Sequence, residues 1–126
     1  MGQGGMEKKI MIVDDSETIR NQVSRCLMDA GYSVVLAVDG KDGLEKAIKN
    51  PDASLFIFDY NMPIMTGMEL CKKVKSIETL KQIPVLFLTT ETSQDKRDEA
   101  KALGVKTWVV KPVRDENLVK LISTIA

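Results

Sequence analysis

Three aspartates close apolar runs in this chain. Asp14 and Asp15 follow Ile10-Met11-Ile12-Val13, and Asp59 follows Leu55-Phe56-Ile57-Phe58. A third run, Val85-Leu86-Phe87-Leu88, ends in Thr89, and Thr107-Trp108-Val109-Val110 leads into Lys111-Pro112. Carboxylates held close together disfavour full ionisation unless a cation joins them. An oxygen-only donor set suits a hard divalent ion, Mg²⁺ first and Mn²⁺ as a substitute. A hydroxyl and an ammonium beside that ion neutralise the charge on a transferring phosphoryl group, which is most of what such chemistry asks of a protein. Asp14, Asp15, Asp59, Thr89 and Lys111 therefore outline a magnesium and phosphoryl site. Taken singly, each has a plainer reading: Asp14 or Asp15 as a helix cap near Ser16, Thr89 as a polar strand end, Lys111 as a solvated lysine. Their shared position at the ends of buried strands favours the site.

The elements that must position them read clearly. Runs that are apolar throughout are strands buried on both faces, as in parallel sheets covered by helices. Ligands of such sheets sit beyond the carboxyl ends of the strands. Five strand-like runs alternate with helix-period segments, which predicts an α/β fold. The first helix follows Ser16, turns Ile19, Val23, Cys26, Leu27 and Ala30 inward, and stops at Gly31. Strand two is Ser33 to Ala37. The next helix carries Leu44, Ala47 and Ile48 and ends at Asn50-Pro51. After Asp59 the loop from Tyr60 to Gly67 reaches a helix with Leu70, Cys71 and Val74 inward. The fourth helix, Ser93 to Leu103, is mostly charged, with only Ala100, Ala102 and Leu103 to bury. The last helix turns Leu118, Leu121, Ile122 and Ile125 inward. Analogy with flavodoxin-like, doubly wound sheets gives the strand order 2-1-3-4-5.

Composition narrows the function. A chain of 126 residues fits one domain. Residues 1–6 are expected to be a flexible leader or tag remnant, with the domain spanning 7–126. Lys+Arg and Asp+Glu both number 18, so no bulk positive charge recruits nucleic acid. No apolar run approaches the roughly 20 residues that span a bilayer, and no signal peptide is visible. Cys26 and Cys71 fall on apolar helix positions and read as reduced core residues of a cytoplasmic protein. Histidine is absent, which excludes imidazole triads and any phosphohistidine on this chain. A histidine-borne phosphoryl group must come from a partner.

At these residues the chain resembles the receiver domain of two-component response regulators, from Lys8 to Ala126. The matching motifs are Asp14-Asp15, Asp59-Tyr60-Asn61-Met62-Pro63 followed by Gly67, Pro84 to Thr89, and Lys111-Pro112. Each is weak alone, and all four in order are specific. The resemblance implies that Asp59 is the phosphoacceptor. It implies that Asp15, Asp59 and the Asn61 backbone carbonyl bind Mg²⁺ directly, with Asp14 acting through water. Thr89 and Lys111 would bind phosphoryl oxygens, and the Lys111-Pro112 bond would be cis. Lys111 is expected to pair with Asp59 when no phosphoryl group is present. Thr89 would couple to Trp108, whose side chain would rotate inward on activation and remodel the face of helix four, strand five and helix five. Thr90 would narrow access to Asp59. Asn61 and Glu91 occupy positions that tune dephosphorylation, and chemotaxis CheY proteins, which this chain resembles, carry the same pair.

The expected function is thus a stand-alone, monomeric response regulator, not a conventional enzyme. It would take phosphoryl from a sensor histidine kinase, CheA-like or other, and act on a separate downstream protein. A phosphorelay intermediate or phosphate sink is the alternative within signalling. A Mg²⁺-dependent small-molecule phosphatase fits less well, because Asn61 stands where haloacid dehalogenases have an acid-base Asp. A flavin carrier fits poorly too, since Asp14-Asp15 would repel its phosphate.

Overall fold

The computed structural model describes residues 7–126, so the expected leader at 1–6 lies outside the described residues. Five strands, β1 (Lys9–Val13), β2 (Ser33–Ala37), β3 (Leu55–Phe58), β4 (Val85–Thr89) and β5 (Thr107–Val110), form one parallel sheet in the order β2-β1-β3-β4-β5. Five helices alternate with them: α1 (Glu17–Asp29), α2 (Gly40–Lys49), α3 (Gly67–Lys75), α4 (Gln94–Ala102) and α5 (Asp115–Ile125). This is the flavodoxin-like doubly wound order expected from the pattern.

Successive strand residues point to opposite faces, so each apolar run feeds two cores. Met11, Val13, Phe56, Phe58, Val85 and Phe87 pack with Ala47, Leu70, Cys71, Val74 and Ala100 on the side of α2, α3 and α4. Ile10, Ile12, Leu55, Ile57, Leu86 and Leu88 pack with Val23, Leu27, Leu118 and Ile122 on the side of α1 and α5. Both cysteines are buried and unpaired.

Helix ends follow local chemistry. Ser16 caps α1 by accepting from Ile19 N, and Gly31, at φ +96°, terminates it. Thr66 and Glu69 form a reciprocal capping box at α3, and Ser93 caps α4. Three predicted inward positions are corrected. Ala30 is the C-cap of α1 and exposed, Ile48 is 53% exposed on α2, and Ala102 is exposed at the end of α4. At helix ends, and on a helix covering the margin of a sheet, periodicity continues past the surface that can bury it. Among the described residues, no helix is long and apolar enough to cross a membrane.

Candidate functional site

The strand order brings β1 and β3 side by side, so their exits share one edge. Asp14 N continues the ladder to Ala37 O, and Asp59 N continues it to Val13 O. The acid groups follow from that register. Asp14, Asp15 and Asp59 each offer a carboxylate oxygen, all within 4.8 Å of one another. Asp14 and Asp59 are buried, at 3% and 8% exposure, and Asp15 is exposed. Three hard anionic oxygens, one open to water, fit a divalent cation that retains part of its hydration shell.

Lys111 enters from the far side of β4, where its N–H bonds to Thr89 O at the end of the β4–β5 pairing. The Lys111-Pro112 bond is cis. The ammonium does not favour Asp59, as the sequence reading expected. It lies 2.9 Å from Asp14 Oδ2 and 3.7 Å from Asp59 Oδ2. Asp14 is the better partner because its other contacts already fix it. Ser16 N donates to Asp14 Oδ1 at 2.9 Å, and the Arg20 guanidinium donates to its backbone carbonyl at 2.7 Å. Sequence reasoning missed Arg20, since no motif marks a side chain that reaches out of its helix to a main-chain oxygen at the preceding strand exit.

Burial pushes the Asp59 carboxyl above its ordinary range, the neighbouring Asp14 adds to the rise, and the Thr89 hydroxyl and Lys111 work against it. Thr89 is fully buried at the next strand end, its oxygen accepting from Glu91 N at 3.2 Å. The raised value has a sign that can be measured. The folded state holds the Asp59 proton more tightly than the unfolded chain, so without Mg²⁺ stability from this group falls as pH rises through the folded value. Asp59→Asn removes that cost, and a gain of about 1 kcal/mol at neutral pH is expected, typical of neutralising a functional-site group. Thermal melts of parent and variant should coincide below the ordinary carboxylate value, separate as pH rises from there to the raised value, and stay apart above it. A variant less stable than the parent at neutral pH would contradict this.

Gly67 opens α3 against the site. A Cβ there would overlap the Asp59 carbonyl oxygen, and Gly67 N donates to Tyr60 O at 2.8 Å. The sequence marked Gly67 only as part of a motif. The Thr66-x-x-Glu69 signature beside it is the sequence signal that marks the start of α3.

Around the mouth, Asn61 and Thr90 are exposed. The Glu91 carboxylate accepts from Lys96 Nζ at 3.0 Å and from Ser93 N at 3.1 Å, and these bonds, the first the larger, hold its pKa below the usual range. Lys96 also stands 4.8 Å over the Tyr60 ring. Trp108, half-buried on β5, already leans inward: its ring meets Phe87 edge-on at 5.1 Å and Tyr60 at 6.0 Å, and Nε1 donates to Glu91 O at 3.0 Å.

This arrangement has known counterparts. Residues 10–123 match the response regulator receiver domain. The chain belongs to that family. It is 39% identical over 105 residues to chemotaxis protein CheY1 of Helicobacter pylori, covering 82% of this chain and 85% of that protein. It is 35% identical over 122 residues to the two-component response regulator ORR11 of Oryza sativa, covering 97% of this chain and 83% of that one. The chemotaxis response regulator CheY4 of Vibrio cholerae superposes with a TM-score of 0.89 at 45% identity, over 96% of this chain and all of that one. The receiver domain is CheY-like in sequence and fold, and the acid cluster lies where its strand exits converge.

Proposed function

We propose that this receiver domain is a phosphorylation switch that accepts phosphoryl from a kinase phosphohistidine onto Asp59. One observation carries the reading: a buried carboxylate, Asp59, shares its strand edge with Asp14, Asp15, the Lys111 ammonium and the Thr89 hydroxyl. Asp15, Asp59 and the Asn61 carbonyl would hold Mg²⁺ or Mn²⁺, with Asp14 acting through water. The ion, when bound, supplies positive charge to the phosphoryl oxygens. A carboxylate oxygen of Asp59 forms the new bond to phosphorus as the P–N bond to the donor imidazole breaks, its electron pair leaving with the imidazole nitrogen. Lys111 exchanges its carboxylate partners for a phosphoryl oxygen, and Thr89 donates its hydroxyl proton to another. Asn61 and Glu91, with Thr90 beside them, tune how soon water removes the group. The similarity to chemotaxis CheY proteins supports a fast-resetting switch in the cytoplasm, acting as a monomer.

Output would run from Thr89 to Trp108. Glu91 joins them, its N–H bonded to Thr89 and its carbonyl to the indole. Drawing Thr89 to a phosphoryl oxygen breaks the first bond and loosens the second. The element beside them is lightly held: only Ala100 of α4 is buried, and the Lys72–Glu99 pair at 2.9 Å is exposed to solvent, which screens it. A cavity of about 350 Å³ between α4 and β5, lined by Gln94, Arg97, Lys101, Lys106 and Trp108, gives a downstream protein a site whose shape this shift alters. The expected result is that beryllofluoride with Mg²⁺ changes Trp108 fluorescence and speeds amide exchange at residues 90–110 more than in α1. Thr89→Ala should keep Asp59 reactive and blunt both changes. Equal responses in parent and variant would exclude Thr89 as the coupling residue.

A further inference from the structure

Ile64 adopts a backbone conformation that its own side chain resists. Its φ is +73°, and Met65 N donates to Pro63 O across it at 2.7 Å. A bond from residue i+2 back to residue i around such a φ is the strained, left-handed form of the γ-turn. A β-branched residue at positive φ is an outlier. Burial does not offset the strain, because Ile64 is 76% exposed. Asn or Gly would take the same φ with less strain and no apolar surface. What Ile64 adds is therefore the exposed side chain itself, and strain of this kind collects at functional sites.

The loop that carries it is pinned beside Asp59 by the Gly67–Tyr60 bond. Three residues from Gly67, the Ile64 Cα lies within about 11 Å of it. The neighbouring β2–α2 loop presses on the same segment, since a Cβ at Gly40 would stand 2.6 Å from Met65 Cβ. Val38 on that loop is 48% exposed. Val38, Ile64 and half-buried Met65 thus form an apolar margin on two loops that touch near Asp59, and Asp15, Asn61 and Thr90, also at the strand exits, are exposed and polar.

We propose that this margin, with Ile64 as its main contact, seats the apolar surface flanking the phosphohistidine of a donor protein. The inference rests on Asp59 being the phosphoacceptor. The chain contains no histidine and Asp59 is 8% exposed, so a donor imidazole must enter the mouth and bring its own domain surface onto the surrounding loops. A small donor such as acetyl phosphate needs no such contact. The margin therefore separates protein donors from small ones.

Each phosphorylated histidine kinase of the source organism is offered to the parent chain, and the fastest donor becomes the probe. Ile64→Asn is expected to lower kcat/KM for transfer from that kinase about tenfold, the scale of one lost apolar contact. Its labelling by acetyl phosphate should match the parent, and its melting temperature should hold or rise as the strain is relieved. Ile64→Leu, which keeps the apolar surface, should transfer at near the parent rate. Equal transfer to parent and Ile64→Asn overturns the proposal and leaves Asp59 as phosphoacceptor. An equal loss with kinase and acetyl phosphate also overturns it, because the site itself has then been damaged. Unchanged transfer with altered sedimentation would assign the patch to a second copy of the chain, which likewise contradicts it. A parent that acetyl phosphate cannot label overturns the phosphoacceptor reading instead.

Discussion

Lys111→Met is expected to slow Mg²⁺-dependent phosphorylation of Asp59 by about 10²–10³-fold, the usual loss when one preorganised donor to a developing charge is removed. The ammonium lies 2.9 Å from Asp14 and 3.7 Å from Asp59, both carboxylates being nearly enclosed. Methionine keeps the length of the stem and removes the charge. The same change should destabilise the metal-free domain by about 3 kcal/mol, because deleting one partner of a buried pair leaves the other uncompensated. Mg²⁺ should recover much of that stability, since a divalent ion takes over the neutralisation, but not the rate. Stopped-flow labelling and thermal melts with and without Mg²⁺ check the two halves separately. A variant that loses stability equally in both conditions would show that Lys111 serves packing rather than the carboxylates.

Gly67→Val should have the largest effect on folding. A Cβ there collides with main chain, at the Asp59 carbonyl, so no side-chain rotation relieves it. Overpacking against backbone costs about 2–3 kcal/mol or more, and β-branching adds crowding at the first turn of α3. Against the 5–15 kcal/mol of a typical domain, that is a substantial share. Gly67→Ala should show a milder form of the same defect. Both should reduce labelling of Asp59 in the fraction that remains folded, because relief of the clash displaces the carboxylate's own main chain. A denaturant melt identical to the parent would contradict this account of Gly67.

Much of this was legible before any coordinates, for a physical reason. Strands buried on both faces are written as uninterrupted apolar runs, so β1, β3 and β4 and their polar exits could be read directly. Helix starts were legible where Ser16 and Ser93 supply caps. What remained hidden depended on distance in space. The preference of Lys111 for Asp14 arises because Ser16 N and Arg20 already hold Asp14 in place, and nothing in the order of residues shows that. The tilt of Trp108 onto Phe87 and Tyr60 depends on three elements meeting. The left-handed φ of Ile64 runs against its residue type, so no propensity argument would place it there. Ala30, Ile48 and Ala102 kept the helical period but had no core left to face.

The proposed function makes Asp59 the nucleophile of a magnesium-assisted phosphoryl transfer. Its most direct test is intact-mass spectrometry of the chain after incubation with acetyl phosphate, followed by borohydride trapping and peptide mapping. One phosphoryl adduct should form with Mg²⁺, fail to form with EDTA, map to Asp59, and disappear in Asp59→Asn. An adduct on Asp14 or Asp15 in the parent, or undiminished labelling of Asp59→Asn, would contradict it.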